Sequence, residues 1–538
     1  MIKNLIKKMS SHVLTFDSWI LSVFGIILIR IFFEQYSNRL MNGLYFIDFS
    51  STIITTVYFL AVIIFLMAIV IYFMKMNIQE AASFTLILFP TIWIAPIIDI
   101  VLHTNSAMLY PTFALKDSLA VFFSMFWNNG FAGATPGIRV GLFLAAIGLF
   151  IFTYIWSNEH VPVKVPIKRF IYAFCAGFSV YIAVFIIASG ASMPSFFQSN
   201  STVLFIQQSL LDSNIINNFI LLTRGGLDTI MPMVFNGLMT QINLIYVLLG
   251  LVLVCWLSYR EKIKILLRNI RLERISHYSL LVIIGAIMGG GRYFFYSWVN
   301  VLSLFMTVLA FASAWIASVL INDIHDKKID SISSGHRPIP SGSFSDKEFG
   351  MFAKIFLLIA FFAAYSSSMY GLFFVILSSF AAYIYSVPPF RLKRNFVSAS
   401  LVIGLASVSA LLSGYFLASQ SRDITVFPPM LVLVLILVFG AISMIKDIKD
   451  YDGDRVSGVK TLPVLIGLKY AKIVTATLIS LSALSLIFFL HNTIISVASG
   501  IAAVLVWYTL LLEPYKEKRF FAVYLTFLVV CGVVMLLR

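Results

Sequence analysis

Apolar runs of about 18 residues or more recur along the whole chain, and each is long enough to cross a bilayer as a helix. Short basic or polar stretches separate them. In the C-terminal half the pattern predicts nine spans, near 279–297, 299–321, 351–368, 370–386, 397–418, 427–446, 470–489, 493–512 and 520–537. In the N-terminal half it predicts spans near 14–34, 51–74, 81–102, 140–157, 170–190 and 241–258. Two longer connections, about 103–138 and 191–240, are rich in Phe, Gly, Asn and Ser and leave room for interfacial or re-entrant segments. The N-terminal half therefore holds about six to eight spans. The basic segment SYREKIKILLRNIRLERISH (258–277) is the one plausible boundary, dividing a domain 1–257 of unassigned role from a domain 258–538.

Composition settles the class. With 60% hydrophobic and 11% charged residues, the chain is an all-α polytopic integral membrane protein, expected in the cell inner or plasma membrane. The net charge of +15 is no nucleic-acid footprint, because the basic residues sit in short loops facing anionic membrane lipid. In the C-terminal half these loops hold Arg260 to Arg274, then Lys327, Lys328, Arg337 and Lys347, then Arg391, Lys393 and Arg394. Lys446 to Lys472 and Lys516 to Arg519 follow, whereas the opposite side has little beyond Arg422 and Arg538. By the positive-inside rule this half starts in the cytoplasm. Lys3, Lys7 and Lys8 precede an apolar run containing Arg30 with no small-residue cleavage site after it, so a retained signal anchor is expected. Cys175, Cys255 and Cys531 lie in apolar runs without a C-x-x-C, which supports neither a disulfide framework nor a zinc site.

The candidate chemistry is concentrated in two short windows holding seven of the 23 acidic residues. INDIHDKKID carries Asp323, Asp326 and Asp330. KDIKDYDGD carries Asp447, Asp450 and Asp454, with Asp452 between them. Both triplets have the spacing i, i+3, i+7, which on a helix puts three carboxylates on one face. Like charges so placed repel, and desolvating them at a membrane boundary is costly. A hard divalent cation such as Mg²⁺, itself a holder of phosphates, relieves both penalties. A single acidic loop is ordinarily a solvated surface. Two with identical spacing, at the cytoplasmic ends of the second and sixth spans, are better explained as one site.

Basic groups accompany the acids. Arg337 follows Asp330 in a loop shaped by Pro338, Pro340 and Gly342, within reach of phosphate oxygens. Lys446, Lys449 and Lys460 suit a departing diphosphate as well as they suit membrane anchoring. YSVPPFRLKRN (385–395) delivers Arg391, Lys393 and Arg394 to the same face, with Tyr385 at the boundary. His325 and His336 lack a matching ligand set for zinc. Gly289, Gly290 and Gly291 read as a close-packing helix surface, and Asp99 with His103 as groups exposed at the interface.

These residues match a family pattern. INDIHDKKIDSISSGHRPIPSG resembles the first signature of the UbiA superfamily of intramembrane prenyltransferases, N-D-x-x-D-x-x-x-D followed by R-P-I-P-S-G. KDIKDYDGDRVSGVKTLPV resembles the second, and YSVPPFRLK resembles the Y-S-x-P-P-x-x-L-K element between them. The resemblance covers about 270–538 and is closest to the glyceryl-phosphate geranylgeranyltransferase, chlorophyll synthase and homogentisate prenyltransferase branches. It implies a nine-helix UbiA-like bundle around a cavity, behind the N-terminal bundle. It also implies Mg²⁺ ions bridging the acidic motifs and a prenyl diphosphate.

Carried over residue by residue, it implies metal ligation by Asn322, Asp323, Asp326, Asp330, Asp447, Asp450 and Asp454. It implies diphosphate contacts from Arg337, Arg391, Lys393 and Lys460, and catalytic parts for Arg337, Tyr385, Lys393 and Lys446. The expected reaction moves a prenyl group from an isoprenyl diphosphate donor to a lipophilic, aromatic or glycerol-phosphate acceptor, at a site facing the cytoplasm. Departures from the pattern leave the acceptor open: SSGH stands before R-P-I-P-S-G, ISMIKDI lacks an Arg-Glu pair, and a Gly-Asn element after YSVPPFRLKRN is absent. The competing readings are a phosphoribosyl-type transferase of the same fold, and a transporter or scaffold with a degenerate prenyltransferase domain.

Overall fold

The computed structural model describes residues 14–42, 49–103, 122, 135–160, 165–190, 202–214, 227–333, 335, 337–421, 423–456 and 458–537. Lys3, Lys7, Lys8, Lys164, His336, Arg422 and Arg538 lie outside them, as does most of both long connections. Among the described residues, 15 helical runs are long and apolar enough to cross a membrane, six ending by Ser258 and nine starting from Leu272. Each predicted apolar run coincides with one of them. Contacts group the chain into two compact units, 1–208 with 235–263, and 209–234 with 264–538.

The first unit is built from α1 (Phe16–Asn42), α2 (Phe49–Met74), α3 (Ile78–Leu88), α4 (Ile94–Val101), α5 (Pro136–His160) and α6 (Pro166–Ala188). Helix α7 (Thr202–Leu211) enters the second unit, and α8 (Leu227–Ser258) and α9 (Arg260–Asn269) run through the boundary between the two groupings. Burying a charge in such a bundle requires a counter-charge. Arg30 is accordingly ion-paired with Glu34 one turn later, and its guanidinium sits 4.5 Å from the Phe59 ring centroid. Asp99 departs from expectation. It is 1% exposed, and its carboxylate accepts from Gly137 N (2.9 Å) and Thr135 Oγ1 (2.6 Å). It therefore neutralises the start of α5 instead of facing solvent.

The second unit contains α10 (Leu272–Gly290), α11 (Trp298–His325), α12 (Lys327–Ser333), α13 (Asp346–Ser367), α14 (Met369–Ser386) and α15 (Phe396–Ala418). It continues with α16 (Pro429–Ser443), α17 (Ile445–Lys449), α18 (Tyr451–Val456), α19 (Leu462–Ile466), α20 (Leu468–Leu490), α21 (Thr493–Leu511) and α22 (Glu517–Leu536). Helices α10 and α15 pack closely along their length, as do α11 and α13. α11, α13 and α14 pack on one side, while α16, α20, α21 and α22 complete the other, with α22 returning to α10. Glycine makes the contact between α10 and α15 possible. A Cβ on Gly285 would lie 1.9 Å from Leu411 O, and one on Gly414 1.9 Å from Val282 O, so the backbones touch where no larger residue fits. Gly289 abuts Tyr415 O in the same way, as its reading as a packing surface anticipates.

Residues ahead of the predicted boundary contribute to this unit. Asn214 N donates to Asn300 Oδ1 (2.9 Å), and its side chain donates to Ala418 O (2.6 Å) at the end of α15. Trp298 Nε1 donates to Ser209 Oγ at 3.0 Å. One expectation is corrected. The acidic triplets do not lie on single continuous helices: α11 stops at His325 with Asp326 as its C-cap (φ −95°, ψ 3°), and α17 stops at Lys449 with Asp450 as its C-cap (φ −89°, ψ 9°). Backbone bonding nevertheless runs on, with Asp330 N donating to Asp326 O and Asp454 N to Asp450 O. Each motif is thus a helix bent at its middle carboxylate.

Candidate active site

The three motif elements meet at one end of the second unit. Helices α12 and α18, which follow the two bends, pack against each other. The loop after α14 joins them: Asn395 and Lys460 form an isolated parallel bridge in which Lys460 N donates to Arg394 O at 3.1 Å. Asn395 also caps α15 by accepting from Val397 N at 2.9 Å, which fixes where that loop re-enters the bundle.

In this loop Arg391 adopts a left-handed conformation (φ 43°), uncommon for a residue with a side chain. The turn brings both Arg391 and Lys393 onto one carboxylate. Arg391 Nη2 donates to Asp326 Oδ1 (2.8 Å), and Lys393 Nζ to Asp326 Oδ2 (2.5 Å) and Asn322 Oδ1 (2.7 Å). Ser386 Oγ reaches the same Asn322 oxygen at 3.1 Å. Arg337 folds back onto Asp330 at 2.6 Å and lies 3.6 Å from Asp323.

Electrostatics follow from this pairing. Burial pushes the Asp326 carboxyl up, but the Lys393 ammonium and both hydrogen-bonding cations hold it below the usual carboxylate range. Burial lowers Lys393 to about 8 despite Asp326, with Lys446 and Arg391 adding to the effect. Asp330 is raised, first by burial, against the pull of Arg337. Asp454 is pushed up to about 6 by burial and by the neighbouring Asp450. The two motifs feel each other: Asp450 acts on Arg337, and Asp326 on Asp454.

The expected metal set has the right chemistry but is not gathered into a cage. Asn322, Asp323, Asp326, Asp330, Asp447, Asp450 and Asp454 offer only hard oxygen donors, as Mg²⁺ prefers. Asp323 Oδ1 is buried and accepts no hydrogen bond, leaving a donor atom available. Among the described residues, however, no three His, Cys, Asp or Glu side chains stand close enough to share one ion. The reason is that buried carboxylates must be neutralised. Asp326 and Asp330 are neutralised by Arg391, Lys393 and Arg337, three of the cations expected to meet diphosphate. Lys460 is exposed, and only its backbone engages the cluster.

Beside the cluster opens a cavity lined by α10 with its N-cap, α11, α14, α15, α16, α17 and α22. Asn322, Tyr385 and Lys446 stand in its wall, and Phe311, Trp315 and Phe439 supply aromatic faces. A second, almost wholly apolar cavity shares Phe439 and Ile442 with the first. Sequence reasoning missed Arg271, Arg274 and His277 in the wall of the first cavity. Arg274 is ion-paired with Glu517 and sits 4.5 Å from the Phe521 ring centroid. Both ring nitrogens of His277 are taken, by Tyr524 Oη (2.7 Å) and Ser407 Oγ (2.9 Å). The one available signal was spacing: 271, 274 and 277 fall on one helical face, whereas the arginines alone read as membrane anchors.

Residues 279–530 match the UbiA prenyltransferase family. Chlorophyll synthase of Avena sativa is 29% identical over 193 residues, covering 32% of this chain and 47% of that protein. The chain thus spans about half the length of that relative. Digeranylgeranylglyceryl phosphate synthase of Methanocaldococcus jannaschii is 29% identical over 265 residues, 48% of this chain and 89% of that protein. A solved UbiA homolog from Archaeoglobus fulgidus, bound to GPP and Mg²⁺, aligns at 18% identity over 51% of this chain and 100% of its own, with a TM-score of 0.40. The C-terminal half of this chain is a UbiA prenyltransferase family domain.

Proposed function

We propose that residues 258–538 form an Mg²⁺-dependent prenyltransferase that alkylates an acceptor inside the membrane, with its polar site toward the cytoplasm. The observation that carries this reading is the meeting of two bent, acid-bearing helix ends and a basic loop beside an aromatic-lined cavity. The family match and the names of the relatives, a chlorophyll synthase and a digeranylgeranylglyceryl phosphate synthase, support it. The positive-inside asymmetry supports the orientation.

In this reading Asn322, Asp323, Asp326, Asp330, Asp447, Asp450 and Asp454 hold Mg²⁺, which when bound supplies positive charge to the leaving diphosphate. Arg337, Arg391 and Lys393 exchange their carboxylate partners for diphosphate oxygens, and Lys446 with Tyr385 faces the reacting end from the cavity wall. The allylic C–O bond breaks with its electron pair leaving on diphosphate, and the basic side chains stabilise that charge. Phe311, Trp315 and Phe439 keep water from the allylic cation and present π-faces to it. An acceptor atom then forms the new bond and gives up its proton.

The test is release of diphosphate from a mixed pool of prenyl diphosphates by the purified full chain, with and without Mg²⁺. Release that requires both Mg²⁺ and an acceptor supports the reading. No release with several acceptors would favour a scaffold or transporter built on this fold.

A further inference from the structure

The two acidic motifs are held in different ways. In the first, the carboxylates themselves are gripped, Asp326 by Arg391 and Lys393 and Asp330 by Arg337. In the second, Asp447 and Asp450 make no side-chain hydrogen bond or ion pair with any described residue. Their oxygens stay uncommitted, so another contact must set where they stand.

The backbone just ahead of them is not fixed by a continuous helix. Helix α16 ends at Ser443, and there the ladder tightens: Met444 N donates to Ala441 O and Asp447 N to Met444 O, each at 3.1 Å and only three residues back. Such a break lets α17 take its own direction. The loop 512–516, between α21 and α22, supplies the missing restraint. Tyr515 Oη donates to Ile445 O at 3.2 Å, across a separation of 70 residues, on the residue directly before Lys446 and Asp447.

Tyr515 is itself clamped. Its backbone N donates to Glu513 Oε2 at 3.2 Å, and Glu513 is ion-paired with Lys472 of α20. Lys472 Nζ lies 5.6 Å from the Tyr515 ring centroid and is 6% exposed, so the clamp is rooted in the bundle. Burial, then Glu517 and Asp450, push the Tyr515 phenol up against the pull of Arg274, which keeps its hydroxyl a donor. At the other end of α17, Lys449 lies 3.6 Å from Glu517, the first residue of α22. One short loop and the helix start after it thus hold both ends of α17.

We propose that Tyr515 is a positioning residue for the second acidic motif: by holding Ile445 O it places Asp447 and Asp450 while leaving their oxygens free for Mg²⁺. The proposal rests on the prenyltransferase reading and adds to it a residue outside the three motifs.

The experiment compares wild type with two variants of the purified full chain, with thermal midpoints checking the fold of each. Tyr515→Phe keeps the ring against Lys472 and removes only the hydroxyl. Ser480→Ala removes a hydrogen bond of similar kind between α20 and α21, Ser480 Oγ to Ala503 O at 3.0 Å, away from α17. Hydrogen–deuterium exchange is read without ligand, and binding of inorganic diphosphate is then read as Mg²⁺ is titrated, both well below the midpoints. The loss of one neutral hydrogen bond predicts that Tyr515→Phe speeds exchange over 445–450 by about threefold to tenfold and leaves 323–330 unchanged. It also raises the Mg²⁺ concentration for half-maximal diphosphate binding by a similar factor, and at saturating Mg²⁺ the diphosphate affinity returns to the wild-type value. Ser480→Ala changes neither readout.

Wild-type exchange over 445–450 in Tyr515→Phe overturns the proposal, and so does an unchanged Mg²⁺ requirement. A loss of affinity that persists at saturating Mg²⁺ overturns it too, since the hydroxyl would then serve the diphosphate itself. An equal shift in Ser480→Ala overturns it by showing general loosening of the bundle. A wild-type chain that ignores Mg²⁺–diphosphate sinks the prenyltransferase reading instead and with it the metal role, while exchange still decides whether Tyr515 holds α17.

Discussion

Asp326 and Asp450 occupy equivalent bends in the two motifs, but their surroundings differ, and isosteric replacement separates their roles. Asp326 is 13% exposed and binds two cations, Arg391 (17% exposed) and Lys393 (12% exposed). Asp326→Asn leaves both without their counter-charge. Removing one partner of a buried pair costs about 3–5 kcal/mol. Residual exposure and the ease with which Lys393, already near 8, sheds its proton reduce this to about 2–3 kcal/mol. Asp450 makes no side-chain hydrogen bond or ion pair with any described residue, and its bend is held by the backbone, Asp450 N donating to Lys446 O at 3.0 Å. Asp450→Asn should therefore change stability by no more than about 0.5 kcal/mol. Thermal unfolding of purified full chain in detergent measures this: Asp326→Asn lowers the midpoint by roughly 4–10 °C, and Asp450→Asn leaves it within about 2 °C. Both variants lose transfer. An Asp450→Asn protein as unstable as Asp326→Asn, or an Asp326→Asn protein as stable as wild type, refutes the reasoning.

Chelation by EDTA should abolish transfer, and added Mg²⁺ should restore it; turnover indifferent to chelation contradicts a metal role. Gly285→Ala forces a methyl onto Leu411 O and should destabilise the α10–α15 contact by about 1–3 kcal/mol, read as a lowered thermal midpoint. Asn214→Ala removes the side-chain hydrogen bond to Ala418 O while keeping the backbone bond to Asn300, and should cost about 0.5–1.5 kcal/mol by the same measurement. A chain beginning at residue 260 should retain some transfer, since every catalytic candidate follows that point. It should also melt below one beginning at 202, and equal midpoints would show that Asn214 anchors nothing.

The helices were legible because hydrophobic run length alone fixes a bilayer-spanning segment, and each predicted run coincides with a helix. That the two acidic windows come together was also legible, from loop charge parity. The bends were not: spacing i, i+3, i+7 is satisfied by a straight helix, and the departure lies in ψ at Asp326 and Asp450, which no residue type there dictates. Nor does sequence reveal partners. Arg337, Arg391 and Lys393 read as phosphate ligands, yet each is held by a nearby carboxylate. Asp99 reads as interfacial because its hydrogen-bond donors, Thr135 and Gly137, are more than thirty residues away. Asn214 carried no pattern at all, since one asparagine in a polar connection says nothing about which helix ends it bridges.

Binding of inorganic diphosphate to the purified chain, titrated with and without Mg²⁺, tests most directly whether both motifs grip one ligand. Wild type should bind only with Mg²⁺, and Asp330→Asn from the first motif and Asp454→Asn from the second should each abolish binding. Binding without Mg²⁺, or binding untouched by either replacement, contradicts the account.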